Sequence, residues 1–314
     1  MEVSIIIVNW NVCELLKACL RAIEQEIGLD PELYEVLVFD NNSSDHSAAM
    51  VAALFPKVRL TANAENLGFG RANNRAYAQS RGKFVLLLNP DTEIRANAIV
   101  RMLQLMRENP DAGILGARLV NPDGSFQRSS GGSLPTLCNA IWHYLFVNDL
   151  LPKRWAPLPT FLVEDPQSTL DIGWVSGAAM LIRREALGET IFDERFFLYG
   201  EDLELCDRMH SSGWRVLFTS EATVMHRLRQ SLAKQRSAEI VASAVTGNRA
   251  YFLVRHGRLK TWCYDLILTI GYMIRWIVFV ALSILRSNAG DVDKLVTNRR
   301  YAFVSLRSLC RGGR

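Results

Sequence analysis

Phe84-Val85-Leu86-Leu87-Leu88-Asn89-Pro90-Asp91 is the stretch that decides the fold. Five apolar residues run without interruption and stop at Asn-Pro-Asp, behind a polar Arg81-Gly82-Lys83. A short continuous apolar run of this kind reads as a strand buried on both faces in a parallel sheet. Pro90 has no N–H to give to a ladder, so the strand ends there. Asp91 then stands at the carboxyl end of a central strand, where open α/β sheets place their ligands. Two readings of its carboxylate stay open at this point. It caps a helix that Thr92-Glu93-Ile94 begins, or it holds a divalent cation that bridges phosphates.

Upstream of this strand the chain alternates. Val3–Asn9 reads as a buried strand, followed by the loop Asn9-Trp10-Asn11 and a helix over Val12–Glu24 with apolar residues at 15, 16, 19, 20 and 23. Glu35–Asp40 is a second strand, running into Asp40-Asn41-Asn42-Ser43-Ser44-Asp45, and a helix follows to about Phe55. Val58–Thr61 is a short strand, Glu65–Gly70 a loop, and Arg71–Ser80 a helix. Strand and helix alternating over about a hundred residues predict a parallel sheet with right-handed crossovers. Loops rich in Asn and Asp follow three of these strands on one edge, which is the geometry of a nucleotide crevice.

Several nucleotide folds are excluded. Gly68-Phe69-Gly70-Arg71-Ala72-Asn73 has Asn where a dinucleotide fingerprint needs its third glycine, and it lies well beyond the first strand. No G-x-x-x-x-G-K-[ST] loop exists. The loop after the first strand is Asn-Trp-Asn, not the Gly-rich loop of a sugar-nucleotide pyrophosphorylase.

Downstream, Gly, Asn-Pro-Asp-Gly and Ser-Ser-Gly-Gly over 113–135 predict turns between short strands. Residues 136–170 carry Trp142, Trp155 and four prolines, and read as an irregular cover over a site. Gly173–Arg183 reads as one strand with small residues where something approaches closely. Phe192–Arg208 is an aromatic run into Gly200 and then a helix opened by Glu201 and Asp202. These two acids either complement the helix dipole or supply a general base. Trp214–Phe218 is a strand, and Thr223-Val-Met-His226 follows it.

At 314 residues and 49% hydrophobic, the chain can bury one large α/β domain plus an appendage. Its start shows neither a basic n-region nor a cleavage site, so no signal peptide is expected. Six cysteines without a C-x-x-C pair predict a reducing, cytoplasmic setting. The formal charge is +4, unevenly spread. From Arg255 onward, 11 Lys and Arg stand against 3 Asp and Glu, a net of +8, which leaves −4 for the first 254 residues. A basic, apolar tail on an acidic body predicts an anionic surface as partner. Nucleic acid is not expected, because no recognition motif appears.

Five blocks in order, Ser4–Asn11, Phe39–Asp45, Glu65–Asn74, Leu86–Asp91 and Gly173–Asp207, resemble the GT-A inverting glycosyltransferases of family 2, in their rhamnosyltransferase-like branch. The resemblance covers about residues 1–230. It implies a Rossmann-like, mostly parallel sheet with helices on both faces. It also implies that Asn9 and Asp40 contact the nucleotide base and ribose, with Trp10 and Asn42 in the same loops. Asn66, Gly68 and Asn73 would line the donor site. Asn89-Pro90-Asp91 stands where the family has D-x-D, so Asp91 would hold Mg²⁺ or Mn²⁺, with Asn89 in place of the first acid. Asp202 would be the catalytic base and His226 a further metal ligand. Trp174 and Glu201 are candidates for the acceptor site.

The tail holds Leu266–Leu285, twenty residues with one charge, Arg275. The length would span a bilayer, but a mid-run arginine costs about 2.5–3.5 kcal/mol on insertion scales. Arg286 lies three turns on, on the side shared by Tyr264 and Tyr272, and basic residues flank both ends. The reading is a helix in the membrane interface, with a span or a buried core helix as alternatives. The expected organisation is a transferase domain over 1–235 and a basic, helical, membrane-associated region over 236–314. The expected activity is metal-dependent transfer with inversion from a dTDP-sugar, rhamnose, to a lipid-linked saccharide in cell-envelope polysaccharide synthesis, at the cytoplasmic face of the membrane. A UDP-hexose donor and a catalytically inactive membrane-bound partner of another transferase are the alternatives.

Overall fold

A computed structural model describes residues 1–25, 30–95, 97–145, 162–227, 237–286 and 300–306, apart from the side chains of 237–245, 279 and 281–286. The first part alternates as the apolar runs dictate: β1 (Val3–Asn9), α1 (Cys13–Glu24), β2 (Tyr34–Asp40), α2 (Ser47–Leu54), β3 (Arg59–Ala62), α3 (Phe69–Gln79) and β4 (Phe84–Leu88). Next come β5 (Thr92–Ile94), α4 (Ala98–Glu108), β6 (Ala112–Val120), β7 (Gly131–Gly132) and α5 (Leu137–Tyr144). Then β8 (Leu170–Asp171), β9 (Trp174–Val175), β10 (Ala179–Arg183), α6 (Glu201–Ser211), β11 (Arg215–His226) and α7 (Ser237–Arg286) complete the order.

The main sheet runs β3-β2-β1-β4-β10-β6-β11-β5, with β8 on β11. Its first four strands are parallel. Beyond β4 the expectation of a mostly parallel sheet holds only in part, for β6 and β11 still pair in parallel. β10 is antiparallel to both β4 and β6, and β5 and β8 are antiparallel to β11, so the sheet is mixed. β4 is fully buried between β1 and β10. Alternate positions, Ile5, Ile7, Leu86, Leu88, Leu115 and Leu181, share one apolar cluster with Leu16 and Leu20 of α1, Val51 of α2 and Met102 of α4. Each such side chain contributes about 1.5–3 kcal/mol on burial. On the other face Val175 packs against Gly116, and Met209 of α6 against Gly113.

The structure corrects four local expectations. No helix begins at Thr92. Asn89-Pro-Asp-Thr is a β-turn, with Thr92 N–H donating to the Asn89 carbonyl at 3.2 Å, and Asn first with Pro second is the composition such turns favour. The chain therefore reverses into β5, and α4 starts only after Asn97 in the left-handed region at φ 65°. Second, 112–120 is one nine-residue strand. Gly113 and Gly116 mark close approach, since a Cβ on Gly116 would stand 2.6 Å from Val175. Third, 173–183 is two strands in two sheets, split at Ser176–Ala178. Fourth, 215–226 is one strand whose register shifts between Thr219 and Thr223, as a bulge does.

At the amino ends of the strands, Ser4 is a polar residue inside β1. Its hydroxyl donates to Glu35 Oε1 at 2.7 Å, and the same carboxylate takes the Arg81 N–H at 2.7 Å and an Arg59 guanidinium nitrogen at 2.6 Å. Burial alone would raise the Glu35 carboxyl, but these donors hold it below its ordinary value. A depressed carboxyl stabilises the fold above its unfolded value and loses that contribution as pH falls through the folded one. Glu35→Ala is expected to cost about 1.5–3 kcal/mol at neutral pH, as hydrogen bonds to charged groups do. In acid the gap to the wild type should shrink. Urea denaturation at both pH values checks this, and equal stability at pH 7 would refute the role.

The chain divides into two compact units. One comprises Met1–Ser133, Leu162–Phe197 and Glu201–Lys234; the other comprises Leu134–Phe161, Leu198–Gly200 and Gln235–Arg314. In the second, α5 occupies part of the stretch expected to be irregular, and it opens with a capping box between Thr136 and Asn139; residues 146–161 lie outside the described set. α7 is broken at Gly257, at φ 77°. Arg275 donates to the Tyr144 and His143 carbonyls at 2.6 and 2.9 Å, so it caps the end of α5. Tyr264 and Tyr272 pack on Tyr144, and Tyr301 of the helical turn 300–306 stacks on Tyr272. Among the described residues no helix is long and apolar enough to cross a membrane.

Candidate active site

The site is built at the carboxyl ends of β1, β2 and β4. Asn9 ends β1 and Asp40 ends β2, in register with each other. Asn9 Nδ2 donates to Asp40 Oδ1 at 2.7 Å and to Ser43 Oγ at 3.1 Å, while Asp40 Oδ2 accepts the Ser43 N–H at 2.9 Å. Asn11 and Asn42 both sit in the left-handed region, which asparagine tolerates. Asn11 Oδ1 accepts the Ser44 N–H at 2.7 Å. The two loops are thus stitched together, and Trp10, between Asn9 and Asn11 in the first of them, is half-buried. Asn9 Oδ1 is buried with no hydrogen-bond partner among the described residues.

The loop before α3 closes this edge. Asn66 Oδ1 accepts the Gly68 N–H at 2.9 Å, and Asn41 Nδ2 donates to the Gly68 carbonyl at 3.1 Å. Gly68 is at φ 78°, and a Cβ there would stand 2.8 Å from both the Phe197 ring and its carbonyl oxygen. Both facts require glycine. Asn73, assigned to the donor site, is buried and its Nδ2 returns to the Phe69 carbonyl at 2.9 Å. Its neighbour Asn74 was passed over by the sequence reading. It clamps the segment before α6, accepting from the Ile191 and Phe192 N–H groups and donating to the Phe192 carbonyl.

Asp91 and His226, 135 positions apart in the chain, are brought together. β5 runs antiparallel to the end of β11 with His226 opposite Thr92. This sets His226 Nε2 3.3 Å from Asp91 Oδ1, with both side chains buried. The Asp91 carbonyl also accepts the Arg227 N–H at 2.9 Å. On its other side the imidazole meets Gln127, whose Oε1 lies 3.1 Å from Nδ1. Gln127 was not singled out from sequence; only the Asn-Pro-Asp-Gly turn before it was read. Among the described residues no cluster of three or more His, Cys, Asp or Glu side chains could hold a metal. The facing pair offers two atoms that could hold a cation, which would need further oxygens to fill its coordination shell.

Asp202 lies at the start of α6, after Tyr199 and Gly200 in the left-handed region. Its carboxylate accepts the Leu203 N–H at 2.9 Å and a bond from the Gly177 backbone. The next residue, Ala178, accepts the Asn89 N–H at 3.0 Å through its carbonyl. One small turn, Ser176–Ala178, therefore ties Asp202 to the Asn89–Asp91 turn. Glu201 is buried, and its Oε2 has no hydrogen-bond partner among the described residues. Burial pushes both carboxyls above their ordinary range, and the Asp202 charge raises Glu201 further. A helix start by itself favours the ionised carboxylate, but at Asp202 desolvation outweighs the backbone donors and the net direction is upward. Trp174 is buried in β9, paired with Gly132.

The family model described as Glycosyl transferase family 2 matches residues 4–190. The N-acetylglucosaminyl-diphospho-decaprenol L-rhamnosyltransferase of Mycobacterium tuberculosis (strain ATCC 25618 / H37Rv) is 32% identical over 221 residues, 66% of this chain and 71% of that protein. Rhamnosyltransferase WbbL of Escherichia coli (strain K12) is 24% identical over 232 residues, 71% and 83% of the two chains. Among solved structures, the mannosyltransferase PcManGT from Pyrobaculum calidifontis, in complex with GDP-Man and Mn²⁺, aligns with a TM-score of 0.57 at 14% identity. That alignment covers 98% of this chain and 87% of that one, and at this identity it speaks to the fold alone. The chain belongs to glycosyl transferase family 2, a glycosyltransferase on a GT-A fold with rhamnosyltransferases among its relatives.

Proposed function

We propose that this chain transfers a rhamnosyl group, with inversion, from a dTDP-linked donor to a lipid-diphosphate-linked saccharide in cell-envelope polysaccharide synthesis, and that it needs Mg²⁺ or Mn²⁺. The observation that carries the metal-dependent reading is the buried facing pair of Asp91 Oδ1 and His226 Nε2 at 3.3 Å, next to the Asn89–Asp91 turn that Ser176–Ala178 ties to Asp202. With His226 Nδ1 turned to Gln127 Oε1, two electron-rich atoms face each other, and a shared cation relieves that opposition. A bound divalent cation would offset the charge that grows on the leaving diphosphate.

The remaining roles belong to the chain's own residues. Asp202 takes the proton of the acceptor hydroxyl as its oxygen bonds to the anomeric carbon, while the bond from that carbon to the donor phosphate breaks and the diphosphate leaves with the electron pair. Asn9 Oδ1, the buried acceptor without a partner among the described residues, would take the imide N–H of a thymine or uracil base, with Asp40, Asn42 and Trp10 shaping the same pocket wall. Asn66, Gly68, Asn73 and Asn89 keep the donor loops closed. Glu201 and Trp174 border the acceptor side.

The diphospho-decaprenol acceptor in the mycobacterial relative's name supports a lipid-linked acceptor, and α7 supports a membrane surface as partner. Leu259, Trp262, Ile270, Met273, Ile274, Ile277 and Val278 are exposed along it, with exposed Arg255, Arg258 and Lys260 at one end. An apolar face with basic residues at its edge lies in an anionic interface. Ile274→Glu with Ile277→Glu should abolish flotation with anionic liposomes and leave turnover on a water-soluble acceptor analogue. Undiminished flotation would refute the interface reading. The transfer itself is tested with dTDP-rhamnose and UDP-hexoses on an undecaprenyl-diphosphate N-acetylglucosamine acceptor, with and without Mn²⁺. Rhamnose transfer with inverted anomeric configuration is expected. Transfer only from a UDP-hexose would replace the donor, and neither transfer nor donor hydrolysis from any sugar would replace the enzyme with an inactive partner.

A further inference from the structure

We propose that Gln127 is a positioning residue that fixes the tautomer of His226, so that Nε2 offers its lone pair toward Asp91 and a divalent cation. The inference rests on the metal reading above and deepens it, by naming what sets the orientation of the His226 ring on which that reading draws.

The argument is one of donor and acceptor order. Asp123, when ionised, only accepts, and Ser125 Oγ lies 2.6 Å from its Oδ1, so the hydroxyl donates there. Ser125 must then accept from Asn121 Nδ2 at 2.9 Å. That turns Asn121 Oδ1 toward Gln127, whose Nε2 donates to it at 2.8 Å. The same Nε2 also donates to the His226 carbonyl at 2.6 Å, an acceptor that cannot be flipped. Both lines of reasoning set the Gln127 amide one way round. Its Oε1 therefore faces His226 Nδ1 at 3.1 Å as an acceptor, and Nδ1 carries the hydrogen. In the neutral imidazole Nε2 is then the bare nitrogen, and it is the one 3.3 Å from Asp91 Oδ1.

A buried imidazole that donates its far N–H to an oxygen is the usual support of a metal-bound histidine, and losing that partner typically costs about 10–100-fold in metal affinity. Gln127 is itself buried and sits just beyond the Asn121–Gly124 turn, which is closed by the Gly124 N–H on the Asn121 carbonyl at 2.9 Å. The turn, then, carries the chain of bonds that orients a ligand on another strand.

The test uses the full chain, with dTDP present, titrated with Mn²⁺ and followed by the paramagnetic resonance signal of free Mn²⁺; melting curves without metal report stability separately. Gln127→Leu should weaken Mn²⁺ binding by about 10–100-fold. Gln127→Glu keeps an acceptor for Nδ1–H but loses both Nε2 donations; it should melt earlier yet bind Mn²⁺ close to the wild type. A purely structural role would make the Glu variant bind as poorly as the Leu variant. In a His226→Ala background, Gln127→Leu should have no further effect on the metal. Wild-type Mn²⁺ affinity in Gln127→Leu, or a tenfold or greater loss in Gln127→Glu, overturns the proposal, and the second criterion stands even if the Leu variant does not fold. If Asp91→Ala and His226→Ala both leave Mn²⁺ binding unchanged, the metal reading itself has failed. If they abolish binding while Gln127→Leu does not, only the role of Gln127 has.

Discussion

Asp202→Asn is expected to lower turnover by about 10²–10⁴-fold, the usual worth of a general base, while donor affinity changes little. The substitution keeps the side chain's size and its acceptor for the Leu203 N–H, and it removes only the capacity to take a proton. In the proposed reading the donor is held elsewhere, at Asn9, Asp40 and the Asp91–His226 pair. Because burial raises the Asp202 carboxyl, the acid limb of the wild-type pH–rate profile should lie above the ordinary carboxylate range, with activity lost as pH falls through it. A raised carboxyl also costs folding stability wherever it is ionised, since the unfolded chain releases that proton more readily. Asp202→Asn should therefore melt higher than the wild type at neutral pH and no higher in acid. Glu201→Gln should share the gain in stability and be the milder of the two in rate. Turnover, donor binding and melting measured on both variants decide the assignment. A dead Glu201→Gln beside an active Asp202→Asn moves the base by one residue, and two active variants place it elsewhere.

Asp91→Ala should abolish metal-dependent binding of the nucleotide diphosphate, a larger loss than the 10–100-fold that typically follows removal of an outer-shell partner. Asp91 is buried at 3% exposure, so solvent does not cushion the loss of its side chain. The fold should still survive. The turn is held by backbone bonds that the substitution leaves alone: Asn89 N–H to the Ala178 carbonyl, Thr92 N–H to the Asn89 carbonyl, and Arg227 N–H to the Asp91 carbonyl. Calorimetric titration of dTDP with Mn²⁺ and with a chelator, alongside circular dichroism, checks both halves. Retained binding with unchanged metal dependence would remove Asp91 from the site.

Much of the fold was legible because its signals are local. The β-branched and leucine runs of β1, β2 and β4 admit only buried strands, and the apolar spacing 16, 19, 20, 23 fixes the buried face of α1. The Asn- and Asp-rich strand ends marked the edge at which Asn9, Asp40 and Asp91 lie. By itself, then, the sequence determined the alternating half of the sheet, the edge that carries the site, and the residues worth testing there.

Tertiary structure decided the rest, because the deciding contacts join distant parts of the chain. Gly113 and Gly116 look like turn residues until Trp214 and Val175 are seen to need their missing side chains. Arg275 looks like a charge stranded in an apolar run until the carbonyls of His143 and Tyr144 take its five-donor head. Glu201 and Asp202 look like exposed helix-end acids until burial raises both. Above all, strand register is a pairing property: only the antiparallel meeting of β5 with β11 puts His226 beside Asp91, and the parallel pairing of β6 with β11 brings Gln127 to its ring. No local pattern at 121–127 or at 226 specifies that meeting, since hydrogen-bond register between strands more than a hundred residues apart is set by the sheet as a whole.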